Sequence, residues 1–261
     1  MTHLAVNLSM IFTEVPLIER FALAKKHGFQ HIEIQFPYEL EISEIQTELE
    51  KNELSLCLIN APSGDLMQGG NGLTAMPDKT IEFRQALEQA IEYATALQVP
   101  SINILAGKQA SHLSTEMCFE TLIKNLRLAS VMFSEHHIQP VFEMINGIDM
   151  PNFLVQNIEQ AHQILNAVQH PALKMQFDCY HMQMMNEHVL HTLQENIDQI
   201  GHIQFADCIG RHEPDTGSIA FHDIFTWLNH SSYAGFIAAE YKPSRHSEDS
   251  FAWKNKYFPL S

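Results

Sequence analysis

The feature that most constrains the fold of this chain is a regular alternation of short apolar runs with longer amphipathic stretches. The apolar runs are six or seven residues long and carry few polar residues, which predicts strands that are covered on both faces. The stretches between them place apolar residues at helical spacing, as Phe83, Leu87, Ala90, Ile91 and Leu97 do. The predicted strands are 4–9, 31–36, 54–60, 101–107, 140–146, 173–178, 202–207 and 236–241.

Eight such alternations without a linker predict an α/β chain of the (β/α)₈ TIM barrel type, with 1–261 as a single domain. A doubly wound open sheet is the alternative, because alternation alone does not require closure. The first strand-to-helix turns lack a G-x-G-x-x-G motif, which disfavours a dinucleotide-binding version of that sheet. One connection, "APSGDLMQGGNGLTAMP" at 61–77, is long and glycine-rich. It is interpreted equally well as a lid over a site or as a surface excursion.

Charge and composition exclude several classes of partner. The formal net charge is −16 and no Lys/Arg cluster stands out, which argues against nucleic acid. No apolar run approaches membrane-spanning length, and the first residues lack a basic region followed by a cleavage site. The four cysteines show no paired spacing, so we expect reduced thiols in a cytoplasmic protein. A small anionic substrate would need a local cation in such an acidic chain. A homo-oligomer is left open.

Polar residues interrupt four consecutive predicted strands near their carboxyl ends, where the active sites of such barrels lie. They are Glu143, Asp178, Gln204 and Glu240. Three carboxylates in one apolar barrel mouth could not all stay ionised without a compensating charge. An all-oxygen set of this kind suits Mg²⁺ or Mn²⁺ better than structural zinc. His181, three residues beyond Asp178, is placed to touch a substrate oxygen or to orient a neighbouring ligand.

Several motifs together resemble the hydroxypyruvate isomerase family, a group of xylose isomerase-like isomerases and epimerases. The motifs are "NLSM" at 7–10, "FPY" at 36–38, "DCYHMQ" at 178–183, "RHEPDTG" at 211–217 and "EYKP" at 240–243. The resemblance covers nearly the whole chain and implies a barrel with a divalent metal at its mouth. It also implies that two metal-bound glutamates, here Glu143 and Glu240, carry the proton. The chain departs from many relatives in having Gln204 where the wider superfamily has histidine, and Met144 where proline is common.

The remaining candidates are assigned to the substrate. Its carboxylate needs a cation, for which Arg211 is the first choice because a guanidinium can bind a carboxylate with two parallel hydrogen bonds. Lys242 is the second choice. Asn7, Glu33 and Asn60 lie at or near the ends of the first three predicted strands, where they could hydrogen-bond the substrate or fix the metal ligands.

The resemblance and the strand-end residues together predict an aldose–ketose isomerase that interconverts hydroxypyruvate and tartronate semialdehyde (2-hydroxy-3-oxopropanoate). A 2-oxo-tetronate isomerase fits the motifs almost as well, because the longer acid needs only a roomier pocket. A non-catalytic sugar-acid-binding barrel is less consistent with the intact set of glutamates, aspartate and glutamine. A metallonuclease of the endonuclease IV kind would need a basic DNA-binding face and a histidine-rich metal cluster, and neither is evident.

Overall fold

A computed structural model describes residues 2–259 and contains a closed barrel of eight parallel strands, in the order β1 to β8 with β8 pairing back to β1. Closure excludes the doubly wound open sheet and confirms the predicted (β/α)₈ class. The strands are β1 (His3–Asn7), β2 (His31–Ile34), β3 (Ser55–Asn60), β4 (Ser101–Asn103), β5 (Gln139–Glu143), β6 (Lys174–Asp178), β7 (Ile200–Phe205) and β8 (Phe236–Ala239).

Each predicted strand is found, and most end before the apolar run does. The clearest case is β4, which stops at Asn103 although Ile104, Leu105 and Ala106 beyond it are also buried. Burial of these residues continues in an irregular segment, because apolar side chains need cover but do not need a strand partner. An apolar run therefore predicts where a strand lies better than where it ends.

At least one α-helix follows every strand, as the alternation predicts. The residues predicted to form the apolar face of the helix before β4 are all buried, which confirms that helix. Among the described residues, no helix is both long enough and apolar enough to cross a membrane. The helices are α1 (Leu17–Lys26), α2 (Ile42–Asn52), α3 (Thr80–Leu97), α4 (Thr115–Glu135), α5 (Ile158–Val168), α6 (Cys179–Met184), α7 (Val189–Asn196), α8 (Phe221–His230) and α9 (Ala252–Tyr257).

The chain divides into two compact units, which are described separately. The first unit comprises Met1–Cys57 and Phe177–Ser261. Its strands β1, β2, β7 and β8 pair in parallel. Apolar residues of these strands, such as Val6 and Ile237, are completely buried. Phe205, the last residue of β7, packs edge-on against Phe225 and Trp253, with ring centroids 5.2 and 5.1 Å apart. Aromatic packing of this kind adds to the stabilisation from buried area.

The second unit, Leu58–Gln176, contains the end of β3, all of β4 and β5, and most of β6. The 61–77 loop belongs to it and is only partly a surface excursion. Leu73, Ala75 and Met76 are buried, and Thr74 Oγ1 donates a hydrogen bond to the backbone oxygen of Leu105 at 2.7 Å. The second half of the loop is therefore anchored in the core of this unit.

Candidate active site at the strand ends

The four predicted metal ligands all lie at the carboxyl ends of strands. Glu143 and Asp178 are the last residues of β5 and β6, Gln204 is the last but one of β7, and Glu240 directly follows β8. Each is at most 5% exposed. In register, Glu143 pairs with the residue two positions before Asp178, and Gln204 pairs with the residue two positions before Glu240. Since alternate residues of a strand face the same way, the two strand pairs repeat one arrangement of polar side chains.

Glu240 is surrounded by hydrogen-bond donors from the first unit. Its Oε1 accepts from Asn7 Nδ2 at 3.0 Å and from Gln35 Nε2 at 2.8 Å, and its Oε2 accepts from Arg211 Nη2. Burial raises the pKa of Glu240 to about 8, opposed by Arg211 and assisted by two neighbouring carboxylates. The group is thus held where an added positive charge would strongly favour its ionised form.

The two carboxylate oxygens of Asp178 make different contacts. Its Oδ1 accepts the backbone N–H of Tyr180 at 2.9 Å, so it caps the helix, while Oδ2 lies 3.2 Å from Arg211 Nη2 and 3.5 Å from His181 Nε2. Burial raises the pKa of Asp178, and burial together with Arg211 lowers the pKa of His181 well below its ordinary value. The lowered pKa favours the neutral imidazole, the form that can bind a metal or accept a hydrogen bond.

Glu33 is the centre of a second hydrogen-bond cluster in the first unit. Its Oε1 accepts from Asn7 Nδ2 at 2.7 Å and from Gln204 Nε2 at 2.6 Å, and its Oε2 lies 2.7 Å from His202 Nε2. All four residues are at most 1% exposed. Glu33 and Asn7, predicted as candidates for contact with substrate, thus contact one another and one of the predicted ligands.

In the second unit, Asn103 at the end of β4 donates to Glu143 Oε2 at 3.2 Å. Asn60, the last residue of β3, is 5% exposed. Each unit supplies side chains of the types that bind divalent metals, Glu143 in the second unit and Asp178 and His181 in the first. The donor types expected from the sequence are therefore present, and the predicted roles of the individual residues remain predictions.

Arg211 and Lys242, the two predicted partners of a substrate carboxylate, differ in placement. The Arg211 guanidinium lies 5.2 Å from the centre of the Tyr180 ring, and its side chain is 18% exposed. Lys242 is exposed, and its backbone N–H donates to the backbone oxygen of Arg211 at 2.7 Å. Lys242 thus supports the backbone that carries Arg211, and only Arg211 has a described contact between its cation and the predicted ligands.

Four further polar residues of these clusters escape prediction from the strand ends. Gln35 could have been found, because it directly follows β2 and lies two residues beyond Glu33 in the predicted strand 31–36. His202 and Asn103 sit inside apolar runs, where single polar residues are usually structural. Asp207 lies two residues beyond the end of β7, and its carboxylate accepts the backbone N–H groups of residues 208, 217 and 219 at 2.8, 2.8 and 3.1 Å.

Known proteins of similar sequence have the same kind of fold. Residues 21–257 match the family model described as xylose isomerase-like TIM barrel. Hydroxypyruvate isomerase from Escherichia coli is 37% identical over 257 residues, covering 98% of this chain and 100% of the relative. A 2-oxo-tetronate isomerase from Pectobacterium atrosepticum is 34% identical over 253 residues, covering 97% of each chain. These similarities confirm the resemblance and the isomerase class predicted from the motifs.

A solved structure shares the whole fold. The crystal structure of a protein named AP endonuclease, family 2, from Brucella melitensis superposes with a TM-score of 0.94 at 33% identity, covering 98% of this chain and 99% of that one. A 3-keto-D-glucoside 4-epimerase from Escherichia coli gives a TM-score of 0.82 at 18% identity, covering 98% of this chain and 100% of that one. At that identity the similarity establishes the fold alone.

Proposed function

Because the chain belongs to the hydroxypyruvate isomerase family of xylose isomerase-like TIM barrels, we propose that it interconverts hydroxypyruvate and tartronate semialdehyde. The observation that carries the proposal is the burial of two glutamates, Glu143 and Glu240, at strand ends of a chain that aligns end to end with curated isomerases. That the protein is an isomerase related to hydroxypyruvate and 2-oxo-tetronate isomerases follows from those relatives directly.

The donor set fits a hard divalent cation, Mg²⁺ or Mn²⁺. Glu143, Asp178, Gln204 and Glu240 would hold it, and all four offer oxygen atoms. Burial raises the pKa values of Asp178 and Glu240, and a cation bound beside them would compensate the cost of ionising them, which supports the proposal. When bound, the cation would supply electrophilic stabilisation of the negative charge that develops on two adjacent substrate oxygens.

The reaction moves one carbon-bound proton between neighbouring carbons, through an enediolate. One glutamate removes the proton from the carbon beside the carbonyl, and the other delivers a proton to the adjacent carbon, while the hydroxyl proton moves to the former carbonyl oxygen. Asn7 and Gln35 both donate to Oε1 of Glu240, which fixes the rotation of that carboxylate before the substrate arrives. Preorganisation of this kind places the carboxylate for proton transfer without further reordering.

Arg211 and His181 would hold the substrate. In a chain of net charge −16, a small acid needs a cation close to the reacting carbons, and Arg211 is the one that already contacts Asp178 and Glu240. The neutral imidazole of His181 can donate or accept a hydrogen bond at a substrate oxygen.

A 2-oxo-tetronate isomerase is the second candidate, favoured by the 34% identity to such an enzyme over 97% of both chains. The proton chemistry is the same, and only the length of the acid differs. An AP endonuclease activity, for which the Brucella melitensis protein is named, is disfavoured because the net charge of −16 repels a phosphate backbone.

The test is an isomerase assay on a panel of C3 and C4 oxo acids in D₂O, followed by NMR. We expect turnover that is lost on chelation and restored by Mn²⁺ or Mg²⁺, with deuterium entering the product at the carbon that gains the proton. Glu143→Gln and Glu240→Gln should each lower the turnover rate by roughly 10²- to 10⁴-fold, the usual contribution of a general acid or base. Glu14→Gln, which alters a carboxylate bound to Ser247, is the control. Full turnover in verified metal-free protein would contradict the metal assignment.

We also propose that residues 1–261 fold as one domain and that the protein is cytoplasmic. The closed order of all eight strands supports the first proposal. The four cysteines, all free and buried, support the second. A single unfolding transition and retention of activity in reducing buffer are the expected results.

A further inference from the structure

Glu33 is a completely buried carboxylate that the proposed reaction does not use as a ligand or as a proton carrier. A buried carboxylate is costly unless its oxygens accept hydrogen bonds. Both oxygens of Glu33 have such partners, from Asn7 and Gln204 on Oε1 and from His202 on Oε2. The cost of burying this group is therefore offset by hydrogen bonds to three other polar side chains.

The hydrogen bond to Glu33 determines which end of the Gln204 amide is free to face a bound cation. The oxygen and nitrogen of a glutamine amide are nearly equal in size, so packing alone does not choose between them, yet only the oxygen can bind a cation. Glu33 Oε1 already accepts a hydrogen bond from Asn7 Nδ2 at 2.7 Å, so it faces Gln204 as an acceptor. Because Gln204 Nε2 lies 2.6 Å from Glu33 Oε1, the nitrogen end is held at Glu33 and the oxygen end is directed away from it.

The neighbours of Glu33 keep its carboxylate from rotating. The backbone N–H groups of Ser9 and Met10 donate to Asn7 Oδ1 at 2.8 and 3.2 Å, which leaves the Asn7 amide nitrogen to donate to Glu33 and Glu240. These backbone donors determine the orientation of the Asn7 amide without ambiguity. On the other side of Glu33, His202 Nε2 lies 2.7 Å from Oε2.

We propose that Glu33 is a positioning residue, which turns the amide oxygen of Gln204 toward the divalent cation and so raises the affinity of the site for it. The inference rests on the proposed function, because it requires Gln204 to be a metal ligand. In this role Glu33 neither binds the substrate nor transfers a proton. The hydrogen bond between Glu33 and Gln204 is the contact that orients the metal ligand.

The test is the affinity of the metal-free full-length protein for Mn²⁺, measured by calorimetry and by electron paramagnetic resonance of the bound ion. Glu33→Gln keeps the size of the side chain but offers a donor as well as an acceptor, so the Gln204 amide can turn over. We expect its affinity to fall roughly 10- to 100-fold, as for other partners of metal ligands. Glu14→Gln should bind Mn²⁺ as the unaltered protein does.

The double variant Glu33→Gln/Gln204→Glu separates positioning from damage to the core. A glutamate at position 204 presents an oxygen in either orientation, so most of the lost affinity should return. Unaltered affinity in folded Glu33→Gln, or failure of the double variant to recover it, would overturn the proposal.

If Glu33→Gln does not fold, Glu33→Met/His202→Leu removes both members of the buried pair, a change that proteins tolerate better than the loss of one member. It should lose affinity in the same way and be rescued by Gln204→Glu, and the same two results would overturn the proposal. Absence of Mn²⁺ and Mg²⁺ binding by the unaltered protein would instead contradict the proposed function, so the two failures are distinguishable.

Discussion

Two loops, 61–77 after β3 and 206–220 after β7, are each organised by one aspartate, yet the two aspartates differ in exposure. Asp65 accepts the backbone N–H of Gly72 at 2.9 Å and pairs with Lys79 at 3.1 Å, with its side chain 52% exposed. Asp207 is completely buried and accepts three backbone N–H groups of its own loop. Water can replace Asp65 as a partner far more easily than it can replace Asp207.

The loop with the more unusual sequence is not the loop whose side chain contacts the predicted metal ligands. The 61–77 loop is long and glycine-rich and is predicted to be either a lid or a surface excursion, whereas the 206–220 loop is noted in the sequence only for Arg211 and the motif at 211–217. In the structure, Arg211 contacts Asp178 and Glu240, and its backbone oxygen accepts the N–H of Lys242. We therefore expect substitutions in the 206–220 loop to have larger effects than those in the 61–77 loop.

The largest expected effect is on catalysis. Arg211→Ala should lower kcat/KM by roughly 30- to 1000-fold, or about 2–4 kcal/mol, the range for removing one partner of a hydrogen-bonded charge pair. Arg211→Lys should recover part of this, because an ammonium lacks the planar guanidinium. Met67→Ala, at an exposed residue of the 61–77 loop, is the matched control and should leave kcat/KM unchanged.

Two outcomes of that experiment would break the comparison. A loss for Met67→Ala as large as for Arg211→Ala would favour a lid function for the 61–77 loop. The primary amide of the substrate should be nearly insensitive to Arg211→Ala, since it carries no carboxylate. If acid and amide suffer equally, Arg211 shapes the loop and does not bind the carboxylate.

The second effect is on stability. Asp207→Ala should lower the free energy of unfolding by about 2–3 kcal/mol, because three N–H groups lose a charged acceptor and the one on residue 219 is in a buried position. Chemical denaturation measures this loss. Asp207→Asn, which keeps one acceptor oxygen, should lose less. Equal stability of the alanine variant and the unaltered protein would show that the loop does not depend on Asp207.

The third effect concerns the buried half of the 61–77 loop. Thr74→Val keeps the shape of the side chain but removes the hydroxyl that donates to the backbone oxygen of Leu105 at 2.7 Å, leaving that oxygen without this donor in a buried setting. We expect a loss of about 1–2 kcal/mol in the free energy of unfolding. No loss would indicate that this half of the loop is not anchored as the structure shows it.

The barrel could be predicted from the sequence because its strands are buried on both faces, so each is a mostly apolar run. The same property exposes Glu143, Asp178 and Glu240 as candidates, since each interrupts such a run. Their partners could not be predicted in the same way. His202 meets Glu33 across 169 positions of sequence, and Gln35 meets Glu240 across 205. Contacts at such separations depend on how the strands align, which periodicity within one strand does not contain.

Strand ends were less predictable than strand positions for a related reason. Side chains at 104–106 are buried without belonging to β4, so hydrophobicity there indicates cover and not hydrogen bonding between strands. The identity of the residue that organises a loop is similarly hidden. Asp65 and Asp207 both lie within glycine-containing loops, and the sequence alone does not show which of them is buried.

The smallest expected effect is that of Asp65→Ala, because the lost hydrogen bond and ion pair are half exposed to water. We expect less than about 1 kcal/mol at neutral pH. The hydrogen bond from the Gly72 backbone, with the pairing to Lys79, lowers the pKa of Asp65. A lowered pKa in the folded state stabilises the protein above the unfolded value of about 4 and ceases to do so as the pH falls through the folded value. The difference in stability between the variant and the unaltered protein, measured by denaturation at several pH values, should therefore vanish in acid. A difference that persists below that range would mean that Asp65 acts through the shape of the loop and not through its charge.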